Sequence, residues 1–75
     1  MNVKELIKEK QMVYQQRYAK YIKKYVENNN DMESYGHAME CSYILIDVFG
    51  LTGNEVEQLE KNNYAGLLDF DLKED

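Results

Sequence analysis

Apolar side chains recur at intervals of three and four residues along most of this sequence, and no proline interrupts them. Such spacing places the apolar side chains on one face of an α-helix, whereas proline breaks helices. The chain has 75 residues, which is enough for one domain. We therefore predict an all-α fold in which residues 1–75 form a single helical domain.

The pattern predicts three helices, at about residues 3–27, 31–49 and 53–61, followed by an acidic tail at residues 64–75. Asparagines 28–30 interrupt the first repeat, and asparagine tolerates the backbone of tight turns. The first two helices should therefore form an antiparallel hairpin. The residues predicted to face inward on the first helix are Val3, Leu6, Ile7, Val13, Tyr14, Tyr18, Tyr21, Ile22 and Tyr25. Those on the second helix are Met32, Tyr35, Met39, Tyr43, Ile46 and Phe49, with Ala38, Cys41, Leu45 and Val48 widening the stripe.

The boundary between the second and third helices carries the clearest local signals. Gly50 suits the left-handed residue that ends a helix, and Leu51 follows where a Schellman ending prefers an apolar side chain. Thr52 and Glu55 have the spacing of a capping box. A third helix should begin at Gly53, with Val56 and Leu59 facing inward.

A turn centred between residues 28 and 29 sets which residues lie at equal height in the hairpin. It predicts that Gly36 lies opposite Tyr21 and leaves room for its ring, and that Tyr14 lies level with Tyr43. It also predicts three pairs of opposite charge at equal height, which are Lys24 with Glu33, Arg17 with Glu40 and Lys10 with Asp47. Exposed pairs contribute about 0–1 kcal/mol each, so they would select the register more than stabilise the fold.

Net charge is divided unevenly along the chain. Residues 1–27 carry seven basic and three acidic side chains, a net of +4, whereas residues 28–75 carry two basic and eleven acidic side chains, a net of −9. The division indicates either an internal attraction or two surfaces for different partners.

Nothing in the sequence indicates an enzyme or a cofactor. His37 and Cys41 are four residues apart, and Glu33 precedes His37 by four, but a closed zinc site usually needs four ligands. A surface histidine beside a buried, inert cysteine is the simpler interpretation. A Cys–His nucleophile is also not favoured, because no third group that would orient the histidine is evident. We expect no catalytic residue, no metal and no cofactor.

The first helix interleaves basic and aromatic residues, a combination that holds single-stranded nucleic acid. The basic residues of this alternative are Arg17, Lys20, Lys23 and Lys24. The tyrosines share the apolar face, however, and the whole chain is acidic, whereas nucleic-acid-binding domains tend to be basic. Nucleic acid is therefore an alternative partner and not the favoured one.

A lone cysteine, a charged N-terminal stretch and the absence of a long apolar run lead us to expect a cytoplasmic protein with no membrane segment. Residues 67–71 match, in letters, the acidic-hydrophobic pentapeptide called a clathrin box. The simpler interpretation is that Leu68 and Phe70 anchor the tail on the protein's own helices.

The Lys- and Tyr-rich first helix and the stretch from Ala38-Met39-Glu40 to Leu51-Thr52-Gly53-Asn54-Glu55-Val56-Glu57 resemble, in style, small acidic helical proteins of phages and prophages of low-GC Gram-positive bacteria. Those with an assigned role commonly bind and inhibit a host protein. The resemblance carries over no functional residues.

Together these features favour a non-enzymatic protein-binding module, with a phage-type inhibitor or regulator of a host protein as its narrower form. The apolar residues predicted to bind a partner are Ile44, Val48, Leu68, Phe70 and Leu72. A homodimer is also expected, since three helices leave apolar surface to cover and twofold dimers are the commonest oligomers. A purely structural homo-oligomer is the remaining alternative.

Overall fold

The computed structural model describes residues 2–29, 31–65 and 68. The helices within these residues are α1 (Val3–Glu27), α2 (Met32–Asp47) and α3 (Gly53–Lys61). α1 and α2 pack closely as an antiparallel hairpin, and α3 lies against both. The prediction of an all-α hairpin with a short third helix is confirmed. Most of the predicted acidic tail lies outside the described residues, among them Phe70 and Leu72.

Side-chain caps begin each helix. The Asn2 side chain accepts a 2.8 Å hydrogen bond from the backbone N–H of Glu5 at the start of α1. Asp31 caps α2, where its carboxylate accepts from the Glu33 backbone N–H at 3.2 Å and from the Ser34 hydroxyl at 2.9 Å. The Ser34 hydrogen bond is the main reason why the pKa of Asp31 lies below its usual range. α2 is shorter than the predicted 31–49, because Val48 and Phe49 already belong to the turn.

The connection between α2 and α3 contains the predicted left-handed glycine and capping box. Gly50 adopts a φ of 77°, and the Leu51 N–H donates to the Leu45 carbonyl at 3.0 Å, one residue before the Ile46 carbonyl that a Schellman ending would use. Thr52 and Glu55 form a reciprocal capping box. α3 therefore begins at Gly53, as predicted. Val56 and Leu59 are buried, also as predicted.

The buried face of α2 differs from the prediction. Ala38, Cys41 and Leu45 point into the core, whereas Met32 and Tyr43 of the predicted inward stripe are 65% and 62% exposed. α1 and α2 pack closely, and a close approach favours the face of α2 with the smaller side chains. Ala38 of that face is fully buried, as is Ala19 of α1.

The buried face of α1 is also rotated from the predicted one. Gln11 and Gln15 are completely buried beside Tyr18, Ala19 and Ile22, whereas Val13, predicted to face inward, is exposed. Val3, Leu6 and Ile7 are exposed as well, although they too were predicted to face inward. α1 has 25 residues against 16 in α2, so its first two turns extend beyond its partner helix.

Aromatic contacts fix the height of the two helices relative to each other. The ring centroids of Tyr21 and His37 lie 4.9 Å apart, as do those of Tyr25 and Tyr35. The ring centroids of Tyr14 and Phe49 lie 6.0 Å apart. Tyr14 and Tyr43, which were predicted to lie at equal height, make no ring contact with each other. The role predicted for Gly36 is wrong, because a Cβ there would meet nothing within 4 Å.

The core consists of apolar side chains from all three helices. It contains Tyr18, Ile22, Ala38, Cys41, Leu45, Phe49, Leu51, Val56 and Leu59, with Leu68 packed at its edge. Burying an aliphatic or aromatic side chain of this size contributes roughly 1.5–3 kcal/mol. Among the described residues, no helix combines the length and apolar character that crossing a membrane requires.

Candidate protein-binding surface

α2 carries a second apolar face, which the fold leaves exposed. We call it the outer stripe and define it as Met32, Gly36, Met39, Tyr43 and Ile46. Met39 is partly buried against the core, and the other four residues are exposed. Their spacing alternates strictly between four and three residues, the repeat that places one seam of a helix against a partner helix. Among the described residues, no helix covers this apolar seam.

A line of carboxylates runs along one edge of the outer stripe. Glu33, Glu40 and Asp47 are seven residues apart and exposed, and Glu40 and Asp47 each follow a stripe residue by one helical turn. Across the interhelical grooves lie bases of α1: Arg17 lines one groove together with Glu40, and Lys24 lines another together with Glu33.

The bases across the grooves do not neutralise this line directly. Within the described residues, no ion pair of 4.0 Å or less joins Arg17 to Glu40 or Lys24 to Glu33. Lys23 pairs instead with Glu27 of its own helix, at 4.0 Å. The guanidinium of Arg17 lies 5.3 Å from the centre of the Tyr14 ring instead. The carboxylates of this edge therefore face solvent.

Carboxylates of α3 lie on the opposite edge of the outer stripe, beyond Tyr35. The Tyr18 hydroxyl donates a 2.5 Å hydrogen bond to Glu60. The pKa of Tyr18 is raised mainly by burial. Further contributions come from the hydrogen bond and charge of Glu60, then from the charges of Glu57 and Tyr35. Glu60 thus contacts this hydroxyl directly, and Glu57 and Tyr35 are near enough to act on it through their charge, so the two glutamates lie on the Tyr35 side of α2.

The described residues that the sequence predicts to bind a partner lie apart from the outer stripe. Val48 is 70% exposed in the turn after α2, and Ile44 is partly buried in the groove between α1 and α2. Leu68 packs against the core, and its carbonyl accepts a 2.7 Å hydrogen bond from the Gln15 side chain. Leu68 contacts Gln15, whereas Ile44 shares its groove with Arg17. Because the Gln15 and Arg17 side chains point about 160° apart on α1, Leu68 and Ile44 lie on different flanks of that helix. Phe70 and Leu72 lie outside the described residues.

The groove that Ile44 lines also contains the one histidine and the one cysteine of the sequence. The groove has a volume of about 400 Å³, and His37 and Cys41 line it together with Tyr14 and Tyr21. Cys41 is buried, and this burial raises the pKa of its thiol. A nucleophilic or metal-binding cysteine needs the opposite shift, because the thiolate is the reactive form. Within the described residues, no three or more His, Cys, Asp or Glu side chains are arranged to hold a metal ion.

The basic residues of the nucleic-acid alternative share the solvent-facing side of α1, but the neighbouring rings are already in contact with the protein. Arg17, Lys20, Lys23 and Lys24 are all exposed. Tyr18 is buried, Tyr21 packs on His37, and Tyr25 packs on Tyr35. Bases that stack on a protein need free aromatic faces, and these rings are not free.

Sequence reasoning assigned Met32, Met39, Tyr43 and Ile46 to the core and so missed the outer stripe. A signal was present, because α2 is apolar on two sides and only one of them can face α1. The outer stripe could have been recognised as a separate face because its residues alternate strictly between spacings of four and three.

Comparison with protein-family models, with curated proteins and with solved structures found no match for this chain.

Proposed function

We propose that this protein is a non-enzymatic protein-binding module and that the outer stripe of α2 is its contact surface. The observation that carries the proposal is the exposure of Met32 and Tyr43, at 65% and 62%, on the face of α2 opposite the buried Ala38 and Leu45. Large apolar side chains grouped on one exposed face are typical of interaction sites. Tyrosine adds contact area at a low cost in conformational entropy.

The narrower proposal, a phage-type inhibitor or regulator of a host protein, is supported by the resemblance described above. Homodimer formation also stays a prediction. The experiment below distinguishes a second copy from another protein by the mass of the adduct.

Site-specific photocrosslinking in the native cells tests the proposal. p-Benzoylphenylalanine replaces Tyr43 in one variant and Val26 in the control. Val26 is matched because it is an exposed apolar residue, 57% accessible, and belongs to α1 and not to α2. We expect a discrete protein adduct from position 43 that is absent from position 26. The absence of an adduct at position 43, or equal adducts at both positions, would contradict the proposal.

A further inference from the structure

We infer that the outer stripe binds an amphipathic helix of a partner protein whose apolar seam is flanked by lysine and arginine. The inference rests on the proposed function and adds the chemistry of the partner. Three observations carry it: the spacing of the stripe, the open notch at Gly36, and the carboxylates on both edges.

The spacing of the stripe selects a helix as the shape of the partner. Five positions from Met32 to Ile46 follow the four–three alternation over two heptads. A seam of this kind accepts knobs from a facing helix, and helix recognition uses anchors at such intervals. An extended strand, with its repeat of two, would meet only some of these side chains.

The notch at Gly36 provides space within the stripe. Gly36 lies between Met32 and Met39 along the seam, and a Cβ built on it meets nothing within 4 Å. The position is not required for packing against α1, so its small size serves no purpose inside the hairpin. A large partner side chain can enter at this point, between the side chains of Met32 and Tyr43.

The charges on the edges select a basic partner. Glu33, Glu40 and Asp47 follow one edge, and Glu57 and Glu60 of α3 lie on the side of the other. Charges beside an apolar helical seam determine which helix pairs with it. A helix with basic residues on both flanks would face carboxylates on each side.

A second copy of α2 fits this charge pattern poorly. In an antiparallel twofold pair, each edge of the seam faces the same edge of the other copy, so Glu33, Glu40 and Asp47 would lie beside their own counterparts. In a parallel pair they would face the edge with Tyr35 and Ser42, which carries no base. Opposite charge is therefore available from a different helix and not from this one.

Two synthetic helical peptides of 21 residues test the inference. Both have leucine at the seam positions; one has lysine and arginine on the flanks and the other has glutamate. Binding of each labelled peptide to the full chain is measured by fluorescence anisotropy at near-physiological salt. We expect the basic peptide to bind at least tenfold more tightly than the acidic one. Equal affinities, or no binding of the basic peptide, would overturn the inference.

Protein variants separate the outer stripe from general attraction to an acidic protein. Tyr43→Glu and Glu40→Lys should each weaken binding of the basic peptide at least tenfold. Glu9→Lys changes the net charge as much as Glu40→Lys does, but on the exposed surface of α1, and it should have an effect below threefold. Val26→Glu is the corresponding control for Tyr43→Glu. Equal losses from Glu9→Lys and Glu40→Lys would overturn the inference.

Sedimentation of the protein without peptide tests whether a second copy of the chain occupies the outer stripe. A dimer that Tyr43→Glu dissociates would place a second copy on the outer stripe and overturn the basic-helix inference. If photocrosslinking at position 43 gives a different protein while the basic peptide fails to bind, the proposed function stands and only the partner chemistry is wrong. If both fail, neither stands.

Discussion

The hydroxyl of Tyr18 donates a 2.5 Å hydrogen bond to the carboxylate of Glu60. The two residues are 42 positions apart, and the bond joins the centre of α1 to the last turn of α3. α3 has only nine residues, of which Val56 and Leu59 are buried. The bond therefore supplements a small apolar contact in holding α3 to the hairpin.

Replacing Tyr18 with phenylalanine should lower the free energy of unfolding by about 1.5 kcal/mol, the low end for a hydrogen bond to a charged group because Glu60 is partly exposed. A double-mutant cycle with Glu60→Ala, measured by urea denaturation, should show coupling between the two changes. Strictly additive effects would mean that the hydrogen bond contributes nothing to stability.

The same residue should make the protein less stable at high pH. Burial and Glu60 raise the pKa of Tyr18 in the folded state, whereas an unfolded tyrosine titrates at about 10. The folded state therefore resists deprotonation, and its stability is complete below about pH 10 and falls as pH rises above that value. Denaturant midpoints measured from pH 8 to 11 should fall less steeply for Tyr18→Phe than for the wild type. Equal slopes for the two proteins would show that a group other than Tyr18 causes the loss of stability at high pH.

Replacing Gly36 with alanine should stabilise the protein by about 0.5–1 kcal/mol, since glycine is unfavourable inside a helix and the new Cβ meets open space. Gly50→Ala is the matched comparison. It should destabilise by roughly 1–2 kcal/mol, because the φ of 77° disfavours a side chain. Thermal and urea unfolding of both variants would check this, and a destabilised Gly36→Ala would restore the packing role that the sequence suggested.

Gln15 should be a stability determinant despite being polar. It is completely buried, its amide donates to the Leu68 carbonyl at 2.7 Å, and its side-chain oxygen accepts from Gln11 at 2.9 Å. Gln15→Ala should cost about 2–3 kcal/mol, through lost packing and a buried carbonyl left without this donor. Gln16→Ala, at an exposed neighbouring position, should change stability by less than about 0.5 kcal/mol. Similar effects of the two changes would contradict the buried role of Gln15.

The sequence by itself determined the helices and their ends, because these depend on neighbours in the chain. Periodicity and the absence of proline predicted α1 and α3 at their observed bounds. Gly50, Thr52 and Glu55 predicted the connection between α2 and α3, since a left-handed glycine and a capping box need only a few consecutive residues.

Only the tertiary structure decided which faces of α1 and α2 are buried. Two apolar stripes compete on α2, and periodicity favours the one with larger side chains, Met32, Tyr35 and Tyr43. Close packing of α1 and α2 instead buries the face of α2 that carries the small residue Ala38. The choice left the outer stripe in solvent and placed Gln11 and Gln15 in the interior. There Gln15 accepts a hydrogen bond from the Gln11 amide and donates one to the Leu68 carbonyl, and these bonds offset the cost of burying amides. Such a choice depends on the shapes of two surfaces that are distant in sequence, and for that reason no local pattern contained it.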